Sequence, residues 1–123
     1  MVERLGDMPD GTLGFRSTGA LDADDYRNVI APPIKEVVEG GGKVRVLFVV
    51  EGNIHETPGG VVEDIKTGAG LGAAHHAAWE RTALVTDQDL VRKAVRMLGW
   101  LAPGEVKVFA LDETEAARDW VSA

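Results

Sequence analysis

Three histidines, twenty acids and no cysteine bound the chemistry open to this chain. His55, His75 and His76 are its imidazoles. His75 and His76 are adjacent, so on a helix they point about 100° apart and do not converge on one ion. His76 and Glu80 stand four apart, which puts two potential ligands on one helix face, but no HExxH or comparable spacing accompanies them. The residues therefore point to no metal site and no cofactor. Ser17 and Ser122 are the only serines and neither lies in a GxSxG elbow, so a covalent mechanism would fall to Thr, Lys or a carboxylate. Glu51 and Glu56, with His55 beside them, form a loop cluster able to exchange protons, though its spacing is that of ordinary solvated acids. The run from Gly68 to Gly72 has neither dinucleotide-loop spacing nor a phosphate-binding lysine, and it does not follow a strand. It reads as a loosely packed helical stretch. No catalytic residue is assigned, and the chemistry expected is binding.

The segment from Met97 to Pro103 has the character of a contact surface. Trp100 and Leu101 stand in a turn just past a helix end, larger and more apolar than a loop requires. Arg92, Lys93 and Arg96 precede them on the outer side of that helix. A basic–aromatic combination of this kind inserts into a membrane interface, sits over a pocket or forms a dimer contact. The plain alternative is that Trp100 packs on the end of a sheet.

The elements that must position these residues follow from periodicity. Val2 to Leu5 and Thr12 to Thr18 read as two strands joined by Met8-Pro9-Asp10-Gly11, whose proline and glycine suit a tight turn. Asp22 is a good helix cap, and Tyr26, Val29, Ile30, Ile34, Val37 and Val38 follow at helical spacing. Pro32-Pro33 predicts a kink or break there, with a second piece ending at Gly40 to Gly42. Lys43 to Val50 is the clearest strand, with Val44, Val46, Phe48 and Val50 facing one way and Arg45, Leu47 and Val49 the other. Thr57-Pro58 opens a further helix carrying Val61, Val62 and Ile65. Arg81 to Thr86 is a strand, and Asp87 is read as the cap of a helix with Leu90, Val91, Ala94, Val95 and Leu98 inward. Glu105 to Ala110 is the last strand, and Asp112 is read as the cap of a last helix that buries Ala117, Trp120 and Val121. Strands alternating with helices imply an α/β fold with right-handed crossovers and a mostly parallel sheet.

At 123 residues the chain is the size of one domain, expected over 1–123, with enough length for a core without staples. A net charge of −7 argues against nucleic acid as a partner, since phosphate neutralisation needs a basic surface. The charged start and the lack of any apolar run near the about 18 residues of a membrane span predict a cytoplasmic protein, at most peripheral to the membrane.

Several phrases together resemble the SpoIIAA-like family of bacterial proteins, related in fold to the anti-sigma-factor antagonists of the STAS superfamily. They are Pro9, Gly11, Gly14, Phe15, Gly19, Asp25 and Tyr26 in the first unit, Arg81 and Asp87 around the fourth strand, and Pro103-Gly104-Glu105-Val106 with Phe109 at the last. The resemblance spans nearly the whole chain. It implies a single STAS-like α/β domain: a five-stranded sheet, mostly parallel with an antiparallel first strand, packed with about four helices. It also implies a non-enzymatic domain for a small nonpolar, lipid-like ligand, a fold similar to CRAL-TRIO lipid carriers, and transient membrane contact through Trp100 and Leu101. The pocket walls on this reading are Phe48, Val50, Ile54, Val61, Ile65, Leu84, Leu98 and Trp100, with residues 51–60 as a gate. The alternative implied is a protein-interaction module of the antagonist type. In antagonists a phosphorylatable serine begins the helix after the third strand. This chain has Thr57 there, which makes Thr57 the phosphorylation-equivalent position. Homodimerisation through an exposed helix or edge is a related expectation.

Overall fold

Val44, Val46 and Phe48 alternate with Leu47 and Val49, so an extended backbone here must bury both of its faces. The computed structural model describes residues 2–18, 26–51, 78–98 and 104–123, with the backbone alone at 26, 27, 90, 91, 94 and 98. Five strands, β1 (Val2–Arg4), β2 (Leu13–Thr18), β3 (Val44–Glu51), β4 (Trp79–Val85) and β5 (Glu105–Phe109), form one sheet in the order β1-β2-β3-β4-β5. β1 is antiparallel to β2, and the remaining neighbours are parallel. Three α-helices lie among the described residues: α1 (Ala31–Glu39), α2 (Asp89–Leu98) and α3 (Thr114–Ser122). The expected helix after Thr57 falls outside them.

Each face of the sheet has its own core. On one side Leu13, Phe15, Val44 and Val46 pack with Ile30 and Ile34. On the other Leu47, Val49, Ala83 and Val85 pack with Ala117 and Val121 of α3, and Leu5 and Met8 extend the cover. The two sets alternate along β3, as expected from its sequence. Gly14 leaves room for this cover: a Cβ there would lie 2.6 Å from Cγ of Met8.

Pro32-Pro33 ends one helical form and begins another. Tyr26–Ile30 is a π-helical turn, and α1 starts at Ala31 with the prolines inside its first turn. First-turn amides have no intrahelical acceptor, so their absence costs little. Proline rings crowd the carbonyls four residues back, and a wider turn relieves that crowding. The hairpin turn before β2 is built as its residues require: Gly11 takes φ +82°, and Thr12 returns both its amide and its hydroxyl to the Pro9 carbonyl.

Two expected caps are placed differently. Asp87 accepts a hydrogen bond from the Leu111 amide at 3.0 Å, tying the end of β4 to the chain leaving β5. Asp112 lies in a 3-10 turn, Leu111–Glu113, ahead of α3. The capping acid is Glu113, whose Oε1 accepts from the Ala110 amide at 2.9 Å. Asp87 thus serves a connection between elements that local spacing does not reveal.

Candidate functional site

Parallel registration lines up one residue from each of four strands on the α1 side of the sheet. Phe15 is opposite Phe48, Phe48 opposite Leu84, and Leu84 opposite Val108. The two phenyl rings are 5.5 Å apart, a normal tilted contact. Phe15 is fully buried, but Phe48, Leu84 and Val108 are only half-buried. Edge position accounts for Val108, since β5 ends the sheet, but not for Phe48, whose strand is flanked by β2 and β4. On the α3 side of the same two strands, Leu47, Ala83 and Val85 have no exposed surface. Across β3 and β4 one face is therefore sealed, and the other leaves large apolar side chains accessible in the middle of the sheet.

Toward the carboxyl ends of the strands, where open α/β sheets place ligands, the next positions are Ser17 and Val50, in register with each other. Thr86 follows the end of β4. All three are buried, and the Thr86 hydroxyl accepts the Gln88 amide at 3.1 Å. Val50, expected as a wall, is closed in beside Phe48. The floor formed by Phe48, Leu84 and Val108 carries no charge. It suits an apolar molecule and has no group to move a proton.

Of the residues expected to line a pocket, Phe48, Val50 and Leu84 are brought together on adjacent strands. Ile54, Thr57, Val61, Ile65, Trp100 and Leu101, and the side chain of Leu98, lie outside the described residues. So do His55, His75, His76 and Glu56, and residues 52–60 of the expected gate. Glu51 and Glu80, the described members of the acid–base and metal pairings considered above, are both occupied. Glu51 Oε2 accepts from Arg16 Nε at 2.9 Å and Nη2 at 2.6 Å, and Glu80 pairs with Arg45. Among the described residues no cluster of three His, Asp or Glu is placed to hold a metal, and no helix is long and apolar enough to cross a membrane.

A cationic cluster on the opposite face has no counterpart in the sequence reading. A bulge in β4 places Arg81 opposite Arg45, with Glu80 as the extra residue. Arg45 Nη1 donates to the Val121 carbonyl at 3.3 Å and to Ala123, and Arg81 Nη1 donates to the Trp120 carbonyl at 2.7 Å. The Arg81 guanidinium lies 5.2 Å from the centre of the Trp120 ring, and Lys107 Nζ lies 5.5 Å from it. Two arginines at the carboxyl end of α3 complement its dipole and satisfy its last carbonyls. The cluster fastens the helix that seals this face.

The family model for SpoIIAA-like proteins matches residues 12–122. No protein of curated function matches the chain. Among solved structures, an uncharacterized protein of the DUF3478 family with a SpoIIAA-like fold, from Shewanella loihica PV-4, is similar at 25% identity and a TM-score of 0.61. The similarity covers 98% of this chain and 93% of that one.

Proposed function

The chain belongs to the SpoIIAA-like family, and on that premise we propose that it is a binding domain, not an enzyme, that takes a small nonpolar, lipid-like molecule against the α1 side of its sheet. The observation that carries this reading is the accessible Phe48–Leu84–Val108 row, set against a tightly sealed opposite face. An apolar ligand would cover side chains that the fold leaves partly in water, and each Å² so covered is worth about 25 cal/mol. Ile54, Val61, Ile65, Leu98 and Trp100 complete the proposed walls. Trp100 and Leu101 provide a transient membrane contact through which such a ligand enters or leaves. The test is titration with an environment-sensitive naphthalene dye, in the parent chain and in Leu84→Trp. Leu84 is half-buried, so a larger ring fills the site without disturbing the sealed face. Dye binding that is lost in Leu84→Trp supports the reading, and equal binding by both proteins rejects it.

Family membership itself favours a second reading, a regulatory module that docks a protein partner around Thr57, with homodimerisation as a related outcome. Phosphate on Thr57 in cells, or a partner lost on Thr57→Glu, would favour docking over carriage.

A further inference from the structure

Several described cations have partners, and of those without one, Arg4 and Lys35 stand singly on separate elements. Arg16 holds Glu51, Arg45 holds Glu80, Arg118 holds Asp7, and Arg81 and Lys107 lie against Trp120. The side chains of Arg92, Lys93 and Arg96 on α2 have none of these partners. Lys93, Arg96 and Met97 stand three and four residues apart and share one helix surface, and Arg92, one turn before Arg96, borders it. Met97 is 74% exposed and is the one large apolar side chain so exposed among the described residues. The helix dipole accounts for a cation at Arg96, in the last turn. It does not account for three unpaired cations gathered around an exposed methionine in a chain of net charge −7.

We propose that Arg92, Lys93, Arg96 and Met97 form a docking surface for an acidic polypeptide segment that carries an apolar side chain. Charge complementarity sets the sign of the partner, and Met97 supplies a polarisable apolar contact within the charged stripe. The stripe rises about 7.5 Å along the helix, the reach of two or three residues of extended chain. Its neighbours argue for a narrow partner. Asp87 and Asp89 are exposed at the amino-terminal end of the same helix. A flat anionic bilayer laid on α2 would meet those acids together with the cations, whereas a narrow segment crossing at Lys93, Arg96 and Met97 passes one to two turns beyond Asp89. The surface is separate from the apolar floor and does not depend on a ligand there.

The test is fluorescence anisotropy of the full chain with a labelled Asp/Glu-rich peptide bearing a central leucine, and with its Lys-rich counterpart. Arg92→Glu/Arg96→Glu is compared with Arg4→Glu/Lys35→Glu, which changes net charge equally at exposed positions on other elements. The acidic peptide should bind in preference to the Lys-rich one, and more weakly as salt rises. Affinity should fall about tenfold or more in the α2 pair, about threefold in Met97→Ala and less than about twofold in the control pair. Equal losses in the two pairs, or no preference for the acidic peptide, would overturn the proposal. So would phosphatidylserine vesicles that bind through Arg92 and Arg96 while the peptide does not. Self-association in sedimentation that the α2 pair abolishes would assign the surface to a second copy and likewise overturn it.

Discussion

Alanine at Gly104 meets two obstacles, and alanine at Gly41 meets one. Both glycines have positive φ, +73° and +78°. A Cβ in that region costs about 1–2 kcal/mol against the following carbonyl. Around Gly41 nothing lies within 4 Å of the added atom. At Gly104 the atom would stand 2.8 Å from the Glu80 carbonyl oxygen and 3.0 Å from the Trp79 carbonyl oxygen. These are backbone atoms, so no rotamer change relieves the contact, and they belong to the bulged start of β4. Shifting them adds about 1–3 kcal/mol, the usual range for overpacking. Gly104→Ala should therefore cost about 2–5 kcal/mol and Gly41→Ala about 1–2 kcal/mol. At about 4 °C per kcal/mol for a domain of this size, the Tm losses are about 8–20 °C and about 4–8 °C. Urea unfolding followed by far-ultraviolet circular dichroism measures both. Equal losses at the two positions would refute the reasoning, because the β4 carbonyls would then contribute nothing.

Leu47→Ala should cost about 2–5 kcal/mol and Leu84→Ala clearly less, since Leu47 is sealed under α3 and Leu84 is half in water; urea midpoints decide. A double-mutant cycle on Arg16 and Glu51 should give a coupling of about 1 kcal/mol or less that shrinks in salt, because both side chains are more than a third exposed. Arg81→Leu should weaken near-ultraviolet circular dichroism from Trp120 and cost about 1–3 kcal/mol, through lost ring contact and an unpaired carbonyl at the end of α3.

Much of the sheet was legible because strand alternation is local. Val44 and Val46 against Leu47 and Val49 assign two faces to β3 from adjacent residues alone. Pro32-Pro33 marked a break for an equally local reason, although the π turn that accommodates it was not foreseen. The roles of Asp87 and the arginines were hidden because their partners are distant in sequence. Asp87 reaches Leu111, and Arg45 reaches Val121, 76 residues away. The floor of the candidate site was readable in part for a related reason. Alternation places Phe48 and Leu84 on one side of their strands, but only registration brings the two side by side. Nothing in the spacing of those apolar residues distinguishes a core position from one that stays half in water.

The most direct measurement is native mass spectrometry of the chain purified from its own host, first under gentle and then under denaturing conditions. Carriage of a nonpolar ligand predicts extra mass that leaves on denaturation and proves apolar when identified. Bare protein at the mass of a monomer or dimer, prepared without detergent or organic solvent, would contradict it.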